Sequence, residues 1–342
     1  MSIDLSNTST ADEEPNAEDN AVRGPQRSGR GLSSFHERGF TPFVVLAGLV
    51  VLISVYDSDF LKPSSILALL DQTAVIALLA LSQAVVVITG RITLANAALA
   101  SLAGVVMAKL LPTLGLGAVG LVLVGAALAG VALGLVHVIA QVPSFIITLG
   151  GLGVCAGVSL WLSNADSVFV GSGYGAVEWI SLRLYQIPIS FILVVLICAA
   201  LMIGFELLPL GQRVRALGFN ERAAAYSGIR TGAVVVTIFG LSGLLSGLAA
   251  TVQVAQLQSA GATTSDSLLL PSIAAVILGG NSIAGGVGGV GRTLLGALII
   301  ALLRVGLDLI GVTPAIQPVI YGVIVILAIA ATVDRRRGTT VA

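Results

Sequence analysis

The sequence predicts an all-α polytopic membrane protein of about ten transmembrane helices, some of them broken or half-helices. Three observations carry this reading. Of 342 residues, 56% are hydrophobic and only 10% are charged, whereas a soluble domain carries about a quarter charged. The charge is also uneven: residues 1–38 hold 11 of the 34 charged side chains, leaving 23 for the other 304 residues. A soluble surface that long must face water and needs more charge than this. Finally, the apolar runs approach the roughly 20 residues a helix needs to cross a bilayer. A β-barrel would show shorter, alternating segments. Soluble enzymes, nucleic-acid binders and disulfide scaffolds are thereby excluded. Net charge is zero, which removes any overall attraction to nucleic acid. Cys155 and Cys198 lie within apolar runs and read as small buried hydrophobes; nothing in their spacing suggests a disulfide or a metal site.

Taken in order, residues 1–38 combine an acidic run (Asp12, Glu13, Glu14, Glu18, Asp19) with a basic stretch (Arg23, Arg27, Arg30, Arg38). They read as a disordered cytoplasmic tail. They are no cleavable signal peptide, because the apolar run starts only after residue 40. Residues 39–337 form the transmembrane domain, and 338–342 a short cytoplasmic end. Ten spans are expected, at about 42–57, 66–89, 92–111, 116–140, 145–163, 187–208, 232–255, 268–281, 291–311 and 314–333. With the N-terminus inside, 13 of the 17 basic residues fall on the cytoplasmic side, Arg91, Arg213, Arg215, Arg222, Arg230, Arg292 and Arg335–Arg337 among them. Only Lys62, Lys109 and Arg183 face outward, as the positive-inside rule requires. Both termini are then cytoplasmic. The outer loop 164–186 carries Phe169, Tyr174, Trp179 and Tyr185, which suit an interface belt or a partner contact.

Two spans look interrupted. Residues 268–280 are too few to cross and contain Pro271, so a half-helix or re-entrant segment is expected there. Residues 279–291 then hold seven glycines. A short internal echo links Gly90-Arg91-Ile92-Thr93-Leu94 with Gly291-Arg292-Thr293-Leu294, of the kind that inverted repeats leave around broken helices. Gly286-x-Gly288-x-x-Gly291 fits a dinucleotide fingerprint, but its flanks are membrane segments and not a βαβ unit, so cofactor binding is rejected. Polar side chains within spans are candidates for a solute path: Gln83, Thr93, Asn96, Gln253, Gln256, Ser272 and Asn281. Thr148, Gln317 and His137 are further polar side chains within spans and functional candidates by the same argument; several of the whole set are expected simply to bond between helices, and His137 reads as a packing residue and not a proton relay. Arg304 and Asp308, one turn apart, are expected to form a structural ion pair. Glu206 is expected to snorkel or to pair with Arg213 or Arg215. No catalytic residue and no metal set is identified.

The cytoplasmic loop Gly211–Arg230 is the most informative segment. Asn220 is a good helix N-cap, Glu221 suits the positive helix end, and Ala223 to Ala225 favour helix. Gly228 can end that helix in the left-handed conformation. A plain connector needs only a few residues, so a short docking helix for a cytoplasmic partner is expected.

Ala216-Leu217-Gly218, Asn220-Glu221, Ala223-Ala224 and Ser227-Gly228-Ile229 resemble the coupling loop of ribose-type ABC permeases, the membrane subunits of bacterial monosaccharide importers. The resemblance continues through Leu241-Ser242-Gly243-Leu244-Leu245, Ile273–Gly280, Ser282–Gly286, Gly296–Ile299 and Leu309–Val312, and covers most of residues 40–337. It implies a permease domain at 39–337 that works as a homodimer or heterodimer in the bacterial inner membrane. It further implies two cytoplasmic ATP-binding subunits, which hold the ATP and Mg, and an extracytoplasmic solute-binding protein. Gly218, Asn220, Glu221, Ala223, Ala224, Ser227 and Gly228 then couple the permease to the ATPases. The chain has no G-x-x-x-x-G-K of its own, so it is no enzyme by itself. Two departures stand out: Thr93 and Ser272 occupy positions where this family usually has acids. Gly90 to Ala98 also resembles a stretch of branched-chain amino acid permeases, which leaves that solute class as an alternative. An ion-coupled secondary transporter is a further one; it needs intramembrane acids, and only Asp308 lies deep enough.

Overall fold

The computed structural model describes residues 41–56, 60 and 62–332. The expected tail 1–38, the end 338–342 and the basic Arg335–Arg337 lie outside the described residues. The helices, in chain order, are α1 (Thr41–Tyr56), α2 (Pro63–Val87), α3 (Asn96–Leu114), α4 (Leu116–Ala140), α5 (Ser144–Ser163), α6 (Ile189–Leu207), α7 (Pro209–Phe219), α8 (Glu221–Tyr226), α9 (Thr231–Leu257), α10 (Leu269–Leu278), α11 (Val290–Leu309) and α12 (Gln317–Thr332). Among the described residues seven are long and apolar enough to cross a membrane: α2, α3, α4, α5, α6, α9 and α11. With the shorter apolar α1, α10 and α12 they correspond in order to the ten expected segments, and this is a multi-pass membrane protein.

The core is built around α9, which packs along α2, α3 and α4. Two-thirds (67%) of the apolar window of α9 is buried, and 61% and 56% of those of α3 and α2, but only 22% in each of α4, α5 and α6. The first three therefore form the interior, and the last three turn most of their apolar surface outward. Lipid supplies little hydrophobic drive between helices, so small residues and hydroxyls set the packing. Gly130 of α4 lies directly on the Phe239 carbonyl and Gly243 of α9. Ser82 of α2 meets Ser242 at 2.8 Å and Ser246 at 3.0 Å on α9.

Two breaks interrupt the bundle, and both differ in detail from expectation. The first, where only residues 90–91 were expected to separate two spans, runs over residues 88–95. Its backbone is held by hydroxyls of α5: Ile92 N–H donates to Ser144 Oγ (3.3 Å) and Leu94 N–H to Thr148 Oγ1 (3.1 Å). The polar Thr148 side chain thus satisfies irregular backbone, the condition for tolerating it at membrane depth. The second break begins with α10, a half-helix as expected, ten residues long. At 1.5 Å per residue it is about 15 Å, half the hydrocarbon core. Pro271 sits in its first turn, where a missing N–H costs no intrahelical bond, so it starts the helix and does not interrupt it. Residues 279–289 then return to α11.

Outside the helices, Val168–Phe169 pairs antiparallel with Ser259–Ala260. This ties the loop after α5 to the segment after α9. Arg183–Leu184 and Ile187–Pro188 form a hairpin whose turn residues, Tyr185 and Gln186, both have positive φ (48° and 72°), as a tight two-residue hairpin requires. Tyr185 is 95% exposed at its tip.

Candidate functional site

The loop 211–230 contains the short capped helix that the sequence predicts, at Glu221–Tyr226. Asn220 is extended (φ −161°) and its Oδ1 accepts from Ala223 N–H at 3.0 Å, capping α8. Glu221 occupies the first turn. The C-terminal end closes by two bonds: Gly228 N–H donates to Ala225 O (3.0 Å) and Ile229 N–H to Ala224 O (3.1 Å). With Gly228 at φ +82°, this is the glycine-terminated motif that satisfies the last carbonyls of a helix. Ser227 Oγ also donates to Ala223 O at 3.0 Å. Ala224 is buried, while Ala223, Ser227 and the 92%-exposed Tyr226 face outward. The preceding helix α7 was not expected. It starts with Pro209 at its first position and buries Gly211, Val214 and Leu217, an i, i+3, i+6 stripe that was legible in the sequence.

The charged groups around α8 form one cluster. The Arg91 guanidinium donates through Nη2 to Glu221 Oε1 at 2.8 Å and through Nε to His137 Nε2 at 2.8 Å. His137 Nε2 is therefore the acceptor nitrogen, and Nδ1–H donates to Val142 O at 2.7 Å. His137 also lies 5.9 Å from the Phe239 ring. It packs as expected, and in addition orients an arginine. The expected pairing of Glu206 with Arg213 or Arg215 is not formed among the described residues; Arg215 Nε is buried without a hydrogen-bond partner.

Beneath α8, three segments meet on bare backbone. Gly286 N–H, from the second break, donates to Ile88 O of the first at 2.9 Å. Gly218, at the end of α7, lies against both groups: a Cβ there would overlap the Ile88 carbonyl and the Gly286 amide. Gly285 (φ +86°) lies equally close to Gly90. Gly218, Gly90 and the Gly285-Gly286 pair, scattered along the sequence, thus form one junction that side chains would force apart.

The solute-path candidates fall elsewhere. Asn96 Nδ2 contacts Leu79 O (3.3 Å) and Ser272 Oγ (3.5 Å), joining α3, α2 and α10. Ser272 Oγ donates to Leu269 O at 2.7 Å. Thr93 Oγ1 accepts from Ala95 N–H at 3.4 Å. Asn281 organises the glycine loop: Nδ2 donates to Val276 O (2.8 Å) and Thr293 Oγ1 (3.0 Å), and Oδ1 accepts from Gly289 N–H (2.8 Å). Gln83 is fully buried, and neither atom of its amide has a partner. These five are enclosed by their own chain. Only Gln253 and Gln256 are half-open; Gln253 Oε1 accepts from Ser265 Oγ, and Gln256 Nε2 donates to Asp71 O at 3.0 Å. The expected Arg304–Asp308 ion pair is replaced. Asp308 Oδ1 instead accepts from Gln317 Nε2 at 2.7 Å across the turn between α11 and α12, and no Arg304–Asp308 pair forms among the described residues. Among the described residues no three His, Cys, Asp or Glu side chains cluster as a metal site would need.

The class of protein that this multi-pass bundle belongs to is a transport permease. The family described as branched-chain amino acid transport system / permease component matches residues 65–329, and the chain belongs to it. The ribose import permease protein RbsC of Bacillus subtilis (strain 168) is 38% identical over 302 residues, covering 86% of this chain and 92% of the relative. Its counterpart in Escherichia coli (strain K12) is 33% identical, over 84% and 91%. The D-allose transport system permease protein AlsC of the same bacterium is 32% identical, over 84% and 89%. No solved structure matches.

Proposed function

We propose that this chain is the membrane subunit of an ATP-driven importer for a neutral, hydroxyl-rich solute, most simply a monosaccharide. The carrying observation is the near-full-length similarity to permeases named for ribose and for allose. The capped, outward-facing α8 supports a docking role toward two cytoplasmic ATP-binding subunits, which hold ATP and Mg. The chain itself performs no covalent chemistry. An extracytoplasmic solute-binding protein delivers the solute, and a second permease subunit completes the path. The chain would lie in the bacterial inner membrane, as in importers of this kind, and the distribution of Lys and Arg supports placing both termini in the cytoplasm. Amides and hydroxyls at Thr93, Asn96, Gln253, Gln256, Ser272 and Asn281 suit hydroxyl groups; for Thr93, Asn96, Ser272 and Asn281 this requires a conformation in which they open to the path.

The family description favours a branched-chain amino acid as the second reading. Uptake by the reconstituted complex, with labelled ribose, allose and leucine, decides between them. Saturable sugar uptake is expected; leucine uptake without sugar uptake overturns the solute and leaves the permease assignment standing.

A further inference from the structure

We propose that Arg91 is a positioning residue that ties the docking helix α8 to both helix breaks, so that a displacement of α8 moves residues 88–95 and 279–289 together. The inference rests on the permease reading and adds to it a route by which the cytoplasmic face reaches the interior.

The geometry distinguishes Arg91 from an ordinary surface cation. Its side chain is 12% exposed, while Glu221 is 54% exposed, so a largely enclosed cation holds the first turn of a surface helix. Exposed ion pairs contribute little because both side chains are free and solvated. Here the guanidinium fork is fixed on both sides, with Glu221 on Nη2 and His137 on Nε. Lysine has no such fork and cannot hold both partners in one plane. His137 is in turn anchored to Val142 O, so the cation is braced against the α4–α5 turn. A cavity of about 350 Å³ opens where Arg91, His137 and Glu221 meet, bounded also by Pro143 and Gly232. At this end α8 is therefore joined to the body by the charged bridge, with open space beside it.

From Arg91 the path inward is short and stiff. Arg91 is part of the first break, whose Ile88 carbonyl binds Gly286 of the second. Five residues beyond Arg91, the same segment opens α3 at Asn96, which reaches α2 and α10. Gly218 sits against the Ile88–Gly286 bond from the α7 side. A movement of α7 and α8 thus acts on the two breaks at once, through backbone contacts that have no slack side chain to absorb it. The requirement for coupling is an element with two arrangements that both ends bias, and the non-helical breaks are the part of this bundle free to supply it.

The test uses the complete importer in proteoliposomes, with ATPase subunits and binding protein, and reads ATP hydrolysed per ribose imported. Arg91→Ala is expected to raise that ratio about fivefold or more, the low end of measured coupling factors. Glu221→Ala is expected to do the same, and the double variant to be no worse than either single one, because the two residues act through one bond. Multiplying defects in the double variant, or a ratio within about twofold of the parent in Arg91→Ala, overturns the proposal. Should Arg91→Ala not assemble, Arg91→Lys serves: it keeps the charge but loses one partner, and an unchanged ratio again counts against the proposal. A parent complex that hydrolyses ATP yet imports no ribose, allose or leucine sinks the permease reading instead, so the two failures are distinguishable.

Discussion

The amide of Gly286 donates to the carbonyl of Ile88 at 2.9 Å, joining two helix breaks nearly 200 residues apart, with Gly218 lying against both groups. Gly218→Ala would place a methyl group on that bond. Overpacking of this kind costs about 1–3 kcal/mol, and the added loss of the inter-break bond goes in the same direction. The thermal midpoint of the purified permease in detergent should fall by several degrees. Gly150, which has nothing within 4 Å of its Cβ position, is the control: Gly150→Ala should leave the midpoint unchanged or raise it, since alanine is the better helix former. Equal behaviour of the two variants would contradict the junction.

The ends of α8 make separable predictions. Asn220→Ala removes the cap on Ala223 N–H and should weaken the helix by about 1 kcal/mol. Gly228→Val has open space around it but must hold φ near +82°, which a β-branched residue strongly disfavours. Both variants should insert normally and hydrolyse more ATP per solute than the parent. Glu221→Arg should share this defect, since it also places two cations side by side at Arg91. Parental stoichiometry in all three would remove α8 from the coupling role.

Gln83 is a buried amide without a partner on either atom. An unsatisfied polar group costs about 1–3 kcal/mol. Gln83→Met, similar in volume, should therefore raise the thermal midpoint. If Gln83 contacts solute when the path opens, uptake falls at the same time. A higher midpoint with parental uptake assigns it no transport role, and a lower midpoint shows that the amide is satisfied in the membrane.

Topology is open to cysteine labelling in a background lacking Cys155 and Cys198. An impermeant reagent outside intact cells should modify a cysteine at position 185, at the 95%-exposed hairpin tip, and should not modify one at 220. The reverse pattern would invert the orientation and place α8 on the wrong face for ATPase subunits.

Much of this architecture was legible in composition and local pattern. Membrane spans are readable because lipid tolerates only long apolar helices. The half-helix at 269–278 was readable from its shortness and its proline, and α8 from Asn220, Glu221 and Gly228, because capping is chemistry between residues three to six apart. What one residue type does at a distance was not readable. The i, i+4 spacing of Arg304 and Asp308 permitted a pair, but the turn at Gly311 (φ +79°) brings Gln317 to Asp308 instead. The path candidates were picked as polar residues in apolar runs. That pattern cannot separate a group facing a passage from one joining two helices, which is what Asn96 and Asn281 do. Arg91, Glu221 and His137, or Gly218 with Gly286, are neighbours only after the bundle closes. Sequence by itself determined which segments are long and apolar enough to span and how α8 is capped, because those depend on solvation and local hydrogen bonding; it missed α7 and placed the start of α3 four residues early. Tertiary structure alone decided which buried polar groups pair and which glycines touch, because those depend on packing between segments up to 200 residues apart.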